Sequence, residues 1–367
     1  MDAWFACSVL TGADAVTTLT GGTMAFELGI YSTGNTPRLP DGSLGRTSDA
    51  IRNLMEAIVL AEQVGLDFFG VGEHHRAETP VSSPVSILNA AAAVTKCIRL
   101  GSAVTVLSTD DPIRIYQQHA TAAAISNGRV EIIAGRGSSI DSFPLFGYRI
   151  EEYDSLYAEK LELLLLLNAN ERVTWSGAYR SMPIVDATVV PRADMPLRIW
   201  LGTGGNPGSS SRAGEAGLPV AYEILSGNGR SWARTVQIYR EAGLRSGHGA
   251  SDLLVSAASH GFLDSDGRTA KDTFYQYERT AMEVAAKQRG FAVPDRAYFE
   301  ANSAPGGMAF AGDPTEIADR LIELQSTLGH TRHILQMDIG GIPHAQFMKS
   351  IELLGTIVAP RVRAAIG

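Results

Sequence analysis

The sequence predicts a closed parallel barrel, (β/α)8, with its helices outside and its chemistry gathered at one mouth. Three observations carry this. Strand-like runs alternate with helix-like runs along the chain, the pattern of parallel sheets. The alternation repeats eight times, which favours a closed barrel over an open sheet. The chain has 367 residues, 45% of them hydrophobic, ample for one large core. The competing arrangement is two domains divided near residues 170–195, but no linker-like composition marks that place.

The first unit pairs a strand over Phe26–Ser32 with a helix over Asp49–Val64. That helix places Ile51, Leu54, Met55, Ile58 and Leu60–Ala61 on a 3.6-residue period, and Gly65 follows as a C-cap. The second unit is Phe68–Gly72 and Pro84–Thr95. The third is Ile98–Leu107 and Pro112–Ile125, with Pro112 suited to the first helical position. The fourth is Val130–Ala134 and Ile150–Ala169, the fifth Arg198–Leu201 and Gly208–Ala216. The sixth is Val220–Ile224 and Arg230–Ala242, the seventh Leu254–Phe262 and Thr269–Arg289. The eighth is Ile334–Met337 and His344–Val362.

A barrel of this kind needs only ~250 residues, so the chain carries insertions. They are expected before strand five and before strand eight. Val173–Pro196 has β-like runs around a turn at Gly177. Phe291–Thr331 holds Ala304-Pro305-Gly306-Gly307 and a helix start at Asp313-Pro314. Residues 1–23 have no positive charge and precede a good first strand, so they read as a leader or extension outside the fold.

Net charge is −8, without a Lys/Arg block, which argues against a nucleic-acid or anionic-membrane partner. No apolar run approaches the ~20 residues that span a bilayer. The only cysteines, Cys7 and Cys97, make neither a disulfide framework nor a zinc pattern, so a cytoplasmic protein is expected.

In such barrels the chemistry lies at the C-terminal strand ends. Strand two leaves through Gly72-Glu73-His74-His75-Arg76. Glu73 and His74 should point to opposite sides there, and a histidine at a barrel mouth is suited to proton transfer near neutral pH. A polar cluster joining loop to barrel is the equally open reading. Without a third ligand or i, i+4 spacing the pair is a poor zinc signature, and no metal is expected. Strand three carries Gly101-Ser102-Ala103, small enough for a flat ring to lie close or simply to pack a barrel layer. Strand four leaves through Gly135-Arg136-Gly137-Ser138-Ser139, an unhindered arginine for an anionic group or for a salt bridge across the mouth. Strand five leaves through Gly202-Thr203-Gly204-Gly205-Asn206-Pro207-Gly208-Ser209 into a helix. That loop fits a generic phosphate cradle better than a merely capped turn. Together these signals suit an elongated phosphate-bearing ligand with a flat head.

Several of these motifs, in order, resemble the bacterial luciferase-like flavin monooxygenases from Met24 to the C-terminus. They include Phe69-Gly70-Val71-Gly72-Glu73-His74-His75, Ile98-Arg99-Leu100-Gly101-Ser102-Ala103-Val104 and Pro112-Ile113-Arg114. They continue with Ser126-Asn127-Gly128-Arg129 through Gly137, then Phe146-Gly147, Gly217-Leu218-Pro219 and Gly312-Asp313-Pro314-Thr315-Glu316. The resemblance implies an FMN-binding barrel. It implies His74 beside the reactive edge of the flavin, with Glu73 orienting the neighbouring imidazoles. It implies Arg136, Gly204, Gly205, Asn206 and Ser209 at the phosphate, and Ala103-Val104 as the site of a cis non-prolyl peptide under the ring. The family's second arginine near the phosphate has no counterpart at Tyr153-Asp154, which implies weaker retention of FMN. The activity implied is monooxygenation of a small organic substrate by reduced FMN and O2 through a flavin C4a-(hydro)peroxide. A separate NAD(P)H:flavin reductase and a homodimer or higher homo-oligomer are implied partners. F420-dependent hydride transfer on the same fold, a non-catalytic flavin-binding protein and an unrelated phosphosugar-type barrel are the alternatives.

Overall fold

A computed structural model describes residues 25–137 and 141–367. The expectations for residues 1–23, Cys7, Ser138 and Ser139 fall outside the described residues.

The strands are β1 (Glu27–Ser32), β2 (Phe68–Val71), β3 (Arg99–Val106), β4 (Val130–Gly135), β5 (Arg172–Trp175) and β6 (Ile184–Thr188). They continue as β7 (Arg198–Thr203), β8 (Val220–Glu223), β9 (Val255–Leu263), β10 (Phe310–Gly312) and β11 (Arg332–Gln336). The helices are α1 (Thr47–Gln63), α2 (Pro84–Val94), α3 (Pro112–Ser126), α4 (Ser142–Leu145), α5 (Tyr153–Ala169) and α6 (Pro207–Glu215). They continue as α7 (Gly229–Arg245), α8 (Gly267–Arg289), α9 (Arg296–Ser303), α10 (Pro314–Leu328), α11 (His344–Leu353) and α12 (Ala359–Ile366). A π-helical stretch, Leu354–Val358, joins α11 to α12, so the expected single helix over 344–362 is one helical path with a wide turn inside it.

Parallel pairing runs β1-β2-β3-β4-β7-β8, and β8 pairs β9, which pairs β11, which returns to β1. This closes the eight-stranded barrel. The insertion before the fifth barrel strand is the antiparallel hairpin β5–β6. β10 is a short strand that the sequence does not announce; it pairs only with the last residues of β9.

The helix that the sequence predicts over Thr269–Arg289 forms, as α8, but it does not take the seventh place in the outer ring. α10 holds that place instead, packed against α7 and α12, while α8 packs on β10 and on the turn Ile339–Gly341 at the mouth. Burial gives the reason. α10 buries Ile317, Ala318, Leu321, Leu324 and Leu328 along one stripe, whereas α8 carries mostly partly exposed, polar side chains around Ala270 and Phe274. A glycine permits the crossing: a Cβ on Gly340 would lie 2.0 Å from the Tyr277 carbonyl oxygen.

Inside the barrel, at the N-terminal ends of the strands, charge replaces the apolar layer. The Arg332 guanidinium, fully buried, donates to Glu131 Oε2 at 2.9 Å and Oε1 at 3.2 Å, and to Glu27 Oε2 at 2.6 Å. Trp200 Nε1 donates to Glu131 Oε2 at 2.8 Å, and Arg198 and Arg99 lie 3.3 and 3.4 Å from Oε1. The Arg332 guanidinium also stacks over the rings of Phe68 and Trp200, 4.3 and 4.7 Å away. Burial alone raises the Glu131 pKa, but these arginines hold it down at about 2.

Removing that carboxylate leaves the buried Arg332 guanidinium with Glu27 alone and Trp200 Nε1 without its charged acceptor. Glu131→Gln is therefore expected to destabilise the fold by about 3–5 kcal/mol. Arg198→Gln, at a half-exposed partner, is expected to cost about 1 kcal/mol or less. Urea denaturation of the two variants checks this; equal, small losses in both contradict it.

Candidate active site

β2, β3, β4 and β7 are consecutive neighbours, so the residues leaving their C-terminal ends meet along one arc of the mouth. His74 follows β2, Ala103 and Val104 lie in β3, Arg136 follows β4, and Gly204 to Ser209 follow β7.

At the β4–β7 end of this arc, Arg136 Nη1 donates to Asp154 Oδ1 at 2.6 Å, and Nη2 reaches Ser209 Oγ at 3.5 Å. Its guanidinium lies 5.2 Å from the centre of the Tyr153 ring. A second guanidinium arrives from α6: Arg212 Nη2 donates to the same Ser209 Oγ at 3.1 Å. Two like charges converge on a hydroxyl that cannot neutralise either, and Asp154 offsets only one of them from an exposed position. An oxyanion at that point satisfies both forks. The positive end of α6 adds to the field. A Cβ on Gly204 would meet nothing within 4 Å, so space is open beside it. A phosphate monoester therefore fits these residues.

Asn206 stands at the start of α6. Its Oδ1 caps α6, accepting from the N–H groups of Gly208 and Ser209 at 2.9 and 3.2 Å. The Gly205 N–H donates to Thr203 Oγ1 at 3.3 Å. The seat thus relies on side chains more than on free backbone donors. Arg212 is the residue the sequence reading did not single out. Its spacing from Ser209, three residues along a helix, is the signal that places both on one face.

In the middle of the arc, the Ala103–Val104 peptide is cis. The pairing of β3 with β4 shifts register between Ala103 and Thr105. Gly135 makes the room: a Cβ there would lie 2.5 Å from Val104 Cγ2.

At the far end, Glu73 holds His75 and the exit of β3. Its Oε1 lies 3.1 Å from His75 Nε2, and its Oε2 accepts the Val106 N–H at 2.8 Å. His75 packs edge-on to Phe146, with ring centres 5.2 Å apart. His74 leaves the same strand end. It is tied by its backbone N–H to the Val81 carbonyl at 2.8 Å and lines a cleft with Asn35, Arg38, Arg76 and, from α8, Ala281 and Val284. Arg136, Asn206 and Ser209 do not line that cleft. The two groups share the mouth, with β3 between them. Beyond β3, Lys160 of α5 donates to the Ser108 carbonyl at 2.8 Å; burial lowers its pKa to about 8, against the pull of Asp110 and Asp111. No cluster of three or more metal-ligating side chains occurs among the described residues.

Comparison with known proteins bears on this geometry. The family model for luciferase-like monooxygenases matches residues 30–331.

The chain belongs to the luciferase-like monooxygenase family.

Within and around this family, the chain is similar to monooxygenase RslO1 from Streptomyces bottropensis, at TM-score 0.78 and 24% identity, over 91% of this chain and 99% of the other. It is also similar to the oxygenating constituent of 3,6-diketocamphane monooxygenase from Pseudomonas putida, solved with FMN. There the TM-score is 0.74 and the identity 19%, over 92% and 99% of the two chains. At these identities both show a shared luciferase-like fold. In sequence, the chain is 34% identical to the F420-dependent glucose-6-phosphate dehydrogenase of Beutenbergia cavernae, but over only 49% of this chain and 54% of that protein. No helix among the described residues is long and apolar enough to cross a membrane.

Asp154 competes for Arg136 with any anion. Asp154→Asn is expected to tighten FMN binding up to about fivefold, the scale of an exposed ion pair. Arg212→Gln is expected to weaken it about tenfold or more, the scale of a lost hydrogen bond to a charged group. Riboflavin, which lacks the phosphate, should respond to neither; flavin fluorescence titrations read all of these affinities.

Proposed function

We propose that this chain is an FMN-dependent oxidoreductase, a monooxygenase that uses reduced FMN and O2 on a small organic substrate. The observation that carries the reading is the convergence of Arg136 and Arg212 on Ser209 Oγ, at 3.5 and 3.1 Å, one strand away from the β3 segment at Ala103 and Val104. Such a pair seats a terminal phosphate, and β3 then backs the flat ring that follows it.

When bound, reduced FMN supplies the electrons that activate O2. The chain's own residues do the rest. Arg136, Arg212 and Ser209 hold the phosphate, while Asn206 keeps Ser209 in place by capping α6. Gly204 and Gly205 leave room for the ligand's approach. His74 gives or takes a proton at its imidazole in the cleft beyond β3. Glu73 is a positioning residue: by holding His75 and the Val106 N–H it fixes the exits of β2 and β3 against each other. α8 covers the mouth from above and limits water. A separate NAD(P)H:flavin reductase supplies the reduced flavin, and the working unit is a homodimer or higher homo-oligomer.

The F420-dependent relative supports a second reading, hydride transfer with a deazaflavin at the same mouth. Titration of the purified chain with FMN, riboflavin and F420 separates the two. FMN is expected to bind more tightly than either of the others. A preference for F420 replaces the monooxygenase with the hydride-transfer enzyme. Among substrates accepted in a screen with reductase, NAD(P)H and FMN, His74→Ala should lower turnover by about 10²- to 10⁴-fold. FMN affinity should stay within about twofold, and its loss would assign His74 to the cofactor instead.

A further inference from the structure

α8 divides the mouth into two clefts. Ala281 and Val284 face the His74 side, while Tyr275, Glu278 and Met282 line a separate cleft toward β8 and β9. The second cleft holds a histidine that the proposed chemistry does not use. Along β9, Ser256, Ala258 and His260 pair in register with Arg332, Ile334 and Gln336. The alternation that turns Arg332 into the barrel therefore turns His260 inward near the top. β9 stands four strands from β3 in either direction around the closed barrel, so His260 faces the Ala103–Val104 segment from across the mouth.

His260 Nδ1 lies 3.2 Å from Glu278 Oε1, and the two side chains are only 8% and 16% exposed. The carboxylate accepts from Nδ1–H, which fixes the tautomer and leaves Nε2 as an acceptor. Among the described residues no protein group donates to Nε2. Tyr275, Tyr298, Phe299 and Met282 give the cleft an aromatic side; of its polar lining, Arg279 is held by Glu283 and the Tyr275 hydroxyl at 3.1 and 3.3 Å, and Asn302 Nδ2 donates to the Leu225 carbonyl at 2.9 Å. Phe299 is buried in a ring cluster, its centre 5.2 Å from Tyr275, whereas Tyr298 is half exposed at the rim. One directed acceptor in an aromatic-walled cleft selects a flat ring that carries a single hydrogen-bond donor.

We propose that this cleft binds a hydroxyl-bearing aromatic molecule, a phenol, with its ring against the wall formed by Tyr275, Tyr298 and Phe299 and its O–H donating to His260 Nε2. As the organic substrate of the enzyme, that molecule rests on the flavin reading above. Its binding does not. Glu278 is the positioning residue that holds the imidazole, and His260 is the residue that sets specificity for the hydroxyl.

The test is isothermal titration of the full chain with p-cresol and with toluene, which differ by the hydroxyl alone. p-Cresol is expected to bind about tenfold more tightly, the scale of one hydrogen bond to a charge-supported acceptor. His260→Phe should abolish that preference while keeping toluene affinity. Met282→Trp, a substitution at a partly exposed position that leaves the dyad intact, should fill the cleft and weaken both ligands at least tenfold. Equal affinities for the two ligands in the unsubstituted chain, no binding of p-cresol, or p-cresol binding untouched by Met282→Trp each overturn the assignment. FMN titrations on the same samples keep the two readings apart. p-Cresol binding without FMN binding sinks the flavin reading and leaves the cleft; FMN binding without p-cresol binding sinks the cleft alone.

Discussion

At the bottom of the barrel one carboxylate, Glu131 of β4, draws guanidinium groups from β3, β7 and β11, and the β11 arginine passes on to Glu27 of β1. Five of the eight barrel strands are thus tied at their N-terminal ends, through Glu131 and Arg332, which are buried, and Glu27, Arg99 and Arg198, which are partly exposed. A buried ion pair is weak evidence of net stability. Its geometric effect is plainer: with Trp200 and Phe68 packed on the Arg332 guanidinium, the strands can pair in one register only without leaving a charge unmatched. The order and height of the strand ends at the opposite face follow from that register. So does the arc on which β2, β3, β4 and β7 present His74, the cis peptide, Arg136 and Ser209.

That arc has a polarity. Its β4–β7 end gathers positive charge, from Arg136, Arg212 and the start of α6, with a single exposed carboxylate against it. Its β2 end offers an imidazole in a cleft roofed by α8. A ligand with an anionic tail and a flat head has one way to lie across these two ends. The same helix shields a second imidazole on β9, so the mouth is divided into compartments by an element that a minimal barrel does not possess.

Much of this is legible in the sequence, and the reasons differ by element. The eight barrel strands read clearly because each is a short apolar run closed by a glycine, a turn or a helix start, as in Val130–Gly135 and Arg198–Thr203. The proposed phosphate seat reads in part because glycines and a serine sit at the exit of β7, a local signal. The place of α8 does not read, because amphipathic spacing tells that a helix forms and not which wall it covers; only the richer apolar stripe of α10 distinguishes the two. The Glu131–Arg332 pair does not read either. A lone Glu inside Val130-Glu131-Ile132-Ile133 looks like an interruption of a strand, and its partner lies 201 residues away. Arg212 and the His260–Glu278 pair are set by helix phase and by a crossing helix, which no motif encodes. Asn206 shows the converse: the motif finds the residue, but its oxygen is spent on capping α6 rather than left for a ligand.

A crystal structure of the chain with FMN measures the decisive geometry directly. The phosphate is predicted within hydrogen-bond distance, about 2.7–3.2 Å, of both Arg136 and Arg212, with the ring system between β3 and His74. A phosphate bound away from the two arginines, or a ring lying outside the strand ends, contradicts the assignment of the mouth.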